Sequence, residues 1–512
     1  MYEIKNIIPR EYQKNIFESC KSKSSLVILP TGIGKTAISV MLSVYRLNEH
    51  LNSKVVICSP TKPLCSQHIA TFIQHTTIPQ EKIILYTGTI KPSERAKLWQ
   101  DATIIVATPQ TIQSDLNSSR IDLKIVSLLT IDEAHRSRMK FANTIIAGKY
   151  REQSAFPLLI GLTASPGSSK EKIQEICSNL GIESIEIRTE EDEDVKPYVQ
   201  ERKLSWIEIY LPKEFQDIKV LIYEPYYHNI EELRNFGLSK PSKAVNKKDL
   251  LILRKQLEYQ LKGGSKASYY GLSLVAQAMK LDHAIDLLET QGLIPLTDYW
   301  SKLSKENTKA AKSIMKHKSI LEAIEKTKLL VESSYNHPKF DKLKQIIEDQ
   351  LASNSQSKII IFANYRNTVK SIVQTINKLE KVRAIELMGQ REGITQKKQI
   401  ENIRNFDSGV YNILVGTSIG EEGLHIGEAT VAIFYDIVSS EIRTIQRSGR
   451  VGRVKSGQII LLMTKGSRDE AFYWTAKRKE KSMRKTVQNI KENNWNQSLL
   501  KEKSDESDIN RS

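Results

Sequence analysis

Residues 24–36 read Ser-Ser-Leu-Val-Ile-Leu-Pro-Thr-Gly-Ile-Gly-Lys-Thr. A short strand pattern (24–29) runs into a loop with two glycines, and a helical pattern follows the Lys-Thr pair. Glycines in such a loop let backbone N–H groups close around phosphate oxygens, and the N-terminus of the next helix adds a favourable dipole. The segment Pro30, Thr31, Gly32, Ile33, Gly34, Lys35 and Thr36 is therefore the candidate phosphate cradle. In that chemistry Lys35 reaches the β- and γ-phosphates of ATP and Thr36 ligates Mg²⁺. Leu29 stands where the general pattern begins with Gly.

Outward from this loop, 54–59, 103–108, 126–132 and 157–164 are nearly continuous β-branched or apolar runs, each followed by a loop or helical pattern. Runs of this kind suit parallel strands buried on both faces, in the βαβ rhythm of a doubly wound sheet. From about 213 to 335 the texture becomes helical. Residues 247–262 and 313–334 carry Leu, Ile and Val in a three-to-four rhythm. The strand pattern returns at 358–364, 382–388, 411–417, 429–436 and 457–464. The fold class expected is α/β, two parallel-sheet lobes with an all-helical insert between them. The boundaries read as a first lobe 1–212, a basic helical insert 213–335, a second lobe 336–475 and a polar C-terminal helix and tail 476–512.

The 512 residues carry 76 Lys+Arg against 59 Asp+Glu, a net charge of +17. Such a balance suits a polyanionic partner. Residues 234–328 hold 18 Lys/Arg and nine Asp/Glu, about half of the excess. The four cysteines show neither CxxC spacing nor a neighbouring His cluster, which argues against a zinc site or a disulfide framework. The N-terminus lacks the apolar stretch of a signal peptide, and no run approaches the roughly 18 apolar residues of a membrane span. A cytoplasmic, nucleoid-associated protein without membrane contact is expected.

Two further segments complete a hydrolytic set. Asp132 and Glu133, in Ile131-Asp132-Glu133-Ala134-His135, end an apolar strand, where an Asp can hold Mg²⁺ and a neighbouring carboxylate can orient the attacking water. Gln446, Arg450 and Arg453, spaced i, i+4 and i+7, share one face if helical, and guanidinium groups can neutralise charge on a transferred phosphoryl group. They fall in the second lobe, so ATP between the lobes would draw the lobes together.

Taken together, these segments resemble a superfamily 2 helicase with two RecA-like lobes. Arg10-Glu11-Tyr12-Gln13 is similar to its adenine-reading segment, with Gln13 on the base. Ser59-Pro60-Thr61-Lys62-Pro63-Leu64 and Thr108-Pro109-Gln110 resemble its strand-gripping motifs. Leu162-Thr163-Ala164-Ser165-Pro166 resembles the motif that links hydrolysis to lobe movement, which implies a coupling role for His135, Thr163 and Ser165. Ile361-Phe362-Ala363-Asn364 and the run Gly416–Leu424 resemble second-lobe motifs, and imply nucleotide contacts from Gly420 and Glu422. A narrower resemblance rests on PTKPLCSQH, TPQTIQSDL, GLTASPGS, EEGL and the basic insert, all typical of the archaeal Hef and Fanconi anaemia M branch.

That branch implies remodelling of forked or branched DNA, with 3′→5′ translocation. It also implies an XPF-type nuclease in many archaeal members, for which this sequence ends too soon. Glu201-Arg202-Lys203 echoes part of the nuclease signature without the Asp expected four residues after the Lys and reads as a surface strand. His425 stands where the branch usually has Asp.

The resemblance implies a grip on phosphates by Thr61, Lys62, Thr108, Asn364 and Thr417, although each Thr also suits helix N-capping. Lys247, Lys248, Arg254 and Lys255 of the insert would add a salt-sensitive clamp on duplex. Tyr269, Tyr270, Tyr299 and Trp300 suit core packing better than base stacking. The function expected is an ATP- and Mg²⁺-dependent DNA helicase or translocase, with replication or repair proteins as further candidate partners. The alternatives are an RNA-directed helicase of the same superfamily, or an ATP-gated clamp that separates no strands.

Overall fold

The computed structural model describes residues 1–138, 141–199, 202–389, 396–417, 429–437 and 457–492. The first lobe is a seven-stranded, wholly parallel sheet in the order β3-β4-β2-β5-β6-β1-β7. Its strands are β1 (Ser25–Ile28), β2 (Lys54–Cys58), β3 (Ile83–Tyr86), β4 (Ile104–Ala107), β5 (Val126–Asp132), β6 (Leu159–Thr163) and β7 (Ser184–Ile187). The central strands β1, β2, β4 and β6 are buried at every position, which is why they read as unbroken apolar runs. The edge strands β3 and β7 are four residues each, and each carries one half-buried position.

The second lobe is also parallel throughout, in the order β10-β11-β9-β12-β13-β8. Here β8 is Arg202–Ile209, β9 Ile359–Phe362, β10 Ala384–Leu387, β11 Ile413–Gly416, β12 Val431–Phe434 and β13 Gly457–Thr464. The order corrects one boundary. The sequence division places 202–209 in the first lobe, but these residues pair with β13 along its full length, from Arg202 opposite Gly457 to Ile209 opposite Thr464. The chain thus enters the second sheet before it enters the insert. The physical reason is that β13, buried at nearly every position, would otherwise leave a row of unpaired backbone groups along its edge.

The insert consists of helices Lys213–Glu232, Lys247–Lys262, Ala267–Thr290, Leu293–Ser304, Lys309–Ile314 and Lys318–Glu332. It has its own core, in which Phe215, Ile222, Leu257, Leu281, Leu288 and Trp300 are buried. Asn246 starts the second helix with a capping box: its side chain accepts from Lys248 N and Asp249 N, and Asp249 reaches back to Asn246 N.

The closing helix, Arg468–Glu492, starts earlier than the sequence division at 476. Its first turns place Tyr473 in the second-lobe core, and its later turns place Met483, Val487 and Ile490 in the first-lobe core. Lys491 pairs with Asp192, and Ser482 Oγ donates to Ser168 O at 2.9 Å. One amphipathic helix therefore straps the two lobes together. Between the lobes it walls a cavity of about 810 Å³ that also touches Leu29, Pro30, Thr31 and Ala164 on one side and Phe434 and Ile437 on the other. No helix among the described residues is long and apolar enough to cross a membrane.

Candidate active site in the first lobe

The phosphate cradle lies between the C-terminal end of β1 and helix α2 (Lys35–Glu49). Gly32 and Gly34 have φ of +82° and +86°, a conformation side chains resist. A Cβ at Gly34 would also stand 2.7 Å from Gln13 Nε2. Lys35 Nζ folds back over the loop and donates to Leu29 O at 3.2 Å and Pro30 O at 3.1 Å. The first turn of α2 itself has no acidic residue to oppose an anion at its N-terminus.

Helix α1 (Glu11–Cys20) braces this loop from the side. Gln13 Oε1 accepts from Arg10 N at 2.9 Å, while Gln13 Nε2 donates to Gly34 O at 3.1 Å. The Tyr12 hydroxyl donates to Ile33 O. Arg10 stacks on the Tyr198 ring, 4.4 Å from its centroid. Gln13 is expected near the adenine; the structure places it against the backbone of the phosphate loop. Tyr12 has no role in the sequence-based expectation, though it sits beside Gln13 in the quoted segment.

At the end of β5, Asp132 is ringed by donors. His68 Nε2 lies 3.0 Å from Oδ2, Ser59 Oγ donates to the same oxygen at 3.3 Å, and Glu133 N donates to Oδ1 at 3.0 Å. Burial pushes this carboxyl up, but the His68 hydrogen bond, joined by the Lys35 charge, outweighs it and holds the group below the usual carboxylate range. Glu133 follows in the left-handed region, with φ 52°. For a residue with a side chain this costs about 1–2 kcal/mol. His135 Nδ1 stands 3.2 Å from Glu133 Oε2 and 3.1 Å from Thr163 Oγ1, and that hydroxyl accepts from Ser165 N at 3.2 Å. The structure thus gathers Asp132, Glu133, His135, Thr163 and Ser165 into one chain of contacts at adjacent strand ends.

The proposed strand-gripping residues are placed as follows. Thr61 N-caps helix α3 (Lys62–His75), accepting from Leu64 N at 3.5 Å. Lys62 Nζ lies 3.4 Å from Thr89 Oγ1 at the surface. Thr108 bonds the Thr111 hydroxyl at 2.8 Å. Asn364 N donates to Asp436 Oδ2, and Thr417 N to Leu387 O. In the insert, Lys247, Lys248, Arg254 and Lys255 are all exposed, with Arg254 paired to Glu258 at 2.8 Å. Tyr269 and Tyr270 are more than half exposed, against the core packing expected of them, whereas Trp300 is buried as expected. Gly420, Glu422, His425, Gln446, Arg450 and Arg453 lie outside the described residues.

A second polar cluster had no sequence signal. Gln291 Nε2 donates to Asp436 Oδ1 at 2.6 Å, and Gln291 Oε1 accepts from Thr368 Oγ1 at 2.6 Å. Lys339 Nζ donates to Tyr435 O at 2.7 Å and pairs with Asp469 at 2.6 Å. Arg468 pairs with Asp282, and Lys219 with Glu289 at 2.7 Å. Burial pushes the Asp436 carboxyl up to about 6 despite Lys339. These residues come from the insert, the second lobe and the closing helix, and they weld the three together.

Three comparisons bear on this arrangement. Residues 10–173 match the DEAD/DEAH box helicase model, 214–337 the helical bundle of a putative ATP-dependent RNA helicase, and 338–455 the helicase conserved C-terminal domain. The chain is 39% identical over 490 residues to a putative ATP-dependent RNA helicase of Methanocaldococcus jannaschii, covering 95% of this chain and 61% of that protein. It is 31% identical to the ATP-dependent DNA helicase mph1 of Neurospora crassa and 32% to the DEAD-box ATP-dependent RNA helicase FANCM of Arabidopsis thaliana. Those alignments cover 90% and 97% of this chain, but 41% and 38% of the relatives. The chain thus spans about two fifths to three fifths of the curated relatives it matches. The crystal structure of the Pyrococcus furiosus Hef helicase domain superposes with a TM-score of 0.71 at 44% identity, covering 91% of this chain and 98% of that one.

Proposed function

The chain belongs to the Hef and Fanconi anaemia M branch of the DEAD/DEAH-box helicases, and from that premise we propose that it is an ATP-driven DNA helicase or translocase acting on forked or branched DNA. The observation that carries the reading is that the phosphate cradle after β1 and the Asp132-Glu133 pair ending β5 both lie at the C-terminal ends of parallel strands of one sheet. In this reading Lys35 and the loop N–H groups hold the β- and γ-phosphates. Glu133 orients the attacking water. His135, Thr163 and Ser165 carry the change onward, and Gln446, Arg450 and Arg453 complete the site from the second lobe. Gln13, Gly420 and Glu422 hold the nucleoside.

Mg²⁺ fits the donor set. One carboxylate kept charged and one hydroxyl, Thr36, are few protein ligands, which suits an ion that keeps several waters and takes phosphate oxygens. When bound, the ion would neutralise charge on the β- and γ-phosphates. The exposed Lys247, Lys248, Arg254 and Lys255 lie on the insert rather than on either lobe and would clamp duplex while Thr61, Lys62, Thr108, Asn364 and Thr417 grip one strand. Translocation with 3′→5′ polarity, a chromosomal location and contacts with replication or repair proteins belong to the same proposal.

An RNA-directed helicase is the second reading. The insert's matching model and two of the relatives above carry RNA-helicase descriptions. Strand displacement and ATPase stimulation on matched DNA and RNA forks, together with a Holliday junction, separate the two. Stronger stimulation by RNA forks would overturn the DNA reading. ATP turnover without displacement on any substrate would favour a clamp.

A further inference from the structure

His68 belongs to none of the groups given a role above, yet it makes the shortest side-chain contact to Asp132. It lies in the second turn of α3, and its Nε2 stands 3.0 Å from Asp132 Oδ2. The imidazole is nearly sealed, 5% exposed against 14% for the carboxylate. Its other nitrogen, Nδ1, is buried with no partner among the described residues. A proton there would be an unmatched buried donor, so the ring carries its proton on Nε2 and donates to the carboxylate. With Ser59 Oγ, it fills the lone pairs of Oδ2. Oδ1 accepts only the adjacent Glu133 N–H among the described residues. The carboxylate is thus held by side chains through Oδ2 alone, while Oδ1 keeps a lone pair for a further partner.

We propose that His68 is a positioning residue: its Nε2–H fixes the rotamer of Asp132 so that the carboxylate meets the Mg²⁺ of a bound nucleotide preorganised. It does so from α3, the helix whose N-cap is Thr61 and whose first residue is Lys62. The carboxylate that holds the metal is therefore tied to the helix expected to hold a strand phosphate. The inference rests on the reading of Asp132 as a Mg²⁺-holding group. Such second-layer hydrogen bonds are what keep a weakly liganded metal site in register.

The test uses the full chain and a fluorescent ADP analogue, titrated with and without Mg²⁺. The quantity read is the ratio of the two affinities. Asp132→Asn should remove most of the Mg²⁺ enhancement. His68→Leu keeps the buried volume but has no donor, and should cut the enhancement by about tenfold while metal-free affinity stays as in the parent. His68→Gln places an amide donor near the same point and should restore most of it. An unchanged enhancement in His68→Leu, or an equal loss of metal-free affinity, would overturn the positioning role. An unchanged enhancement in Asp132→Asn would instead overturn the metal reading itself.

Discussion

The rim of the first sheet and the seam between the insert and the second lobe both collect charged and polar side chains, but they use them in opposite ways. At the rim, Lys35 at the start of α2 and Asp132 and Glu133 at the end of β5 are partly exposed, and their contacts hold orientation without sealing them off. At the seam, Lys339 is fully buried, Asp436 and Asp469 are 1% exposed and Gln291 is 2% exposed. There the polar groups are matched to one another across three parts of the chain. Partial exposure suits a site that would bind a polyanion and release it. A closed network suits a joint, because breaking one partner leaves its mate charged and dry.

Substitutions on the two sides should therefore fail differently. At the rim, Glu133→Gln should lower ATP turnover by about 10²–10⁴-fold while leaving nucleotide affinity and unfolding midpoint near the parent's. Undiminished steady-state turnover would break the assignment of Glu133. At the seam, Lys339→Met should cost about 3–5 kcal/mol, since it leaves Asp469 and Asp436 buried without their cation. Denaturant unfolding followed by a second-lobe probe checks this. A loss below about 1 kcal/mol would mean that the seam relaxes and that the contrast is overdrawn.

The seam also predicts a pH dependence. His337 Nε2 lies 3.1 Å from Glu289 O and its Nδ1 accepts from Lys339 N at 3.2 Å, so both ring nitrogens are spoken for in the neutral form. Burial, then the Lys339 charge, pushes this imidazole down to about 3. A folded value below the unfolded one, about 6.5, means stability that is intact above pH 6.5 and lost as pH falls toward 3, by at most about 1.4 kcal/mol per pH unit. Asp436 works in the other direction, since its folded value is raised: it favours the folded state as pH falls through about 6. Comparing the parent with His337→Gln over pH 7 to 4.5 isolates the histidine, and the variant should show the smaller acid loss. Parallel curves would remove His337 from the account.

The smallest effect belongs to the exposed face of the insert. Alanine at Lys247, Lys248 and Lys255 together should leave basal ATPase unchanged. It should lower the slope of log affinity against log salt for forked DNA by about one for each phosphate no longer neutralised. An unchanged slope would place the duplex elsewhere.

The rim was largely legible before the structure because its chemistry demands contiguous residues. A phosphate loop needs Gly32, Gly34, Lys35 and Thr36 in one stretch, and a strand-end Asp needs its neighbour Glu133. What stayed hidden there were the links between separate motifs: Gln13 and Tyr12 brace the phosphate loop, and His68 in the segment after β2 reaches Asp132. The seam was not legible. Gln291, Lys339, Asp436 and Asp469 are far apart in the chain, and each looks like an ordinary surface polar residue until the fold removes water from all of them together. Tyr269 and Tyr270 show the converse: a helical spacing that suits a core ended at the surface.

Two parallel-sheet lobes, a basic helical insert and a glycine-containing Lys35-Thr36 loop between a strand and a helix follow from the order of residues alone. Hydrophobic periodicity and contiguous motifs are local properties, and local properties survive without coordinates. It took the folded chain to show that Arg202–Ile209 completes the second sheet, that Arg468–Glu492 straps both lobes, and that the insert is welded to the second lobe by buried charge. Strand pairing across the length of the chain and the desolvation of distant polar groups are set by which surfaces meet, and no stretch of residues carries that information alone.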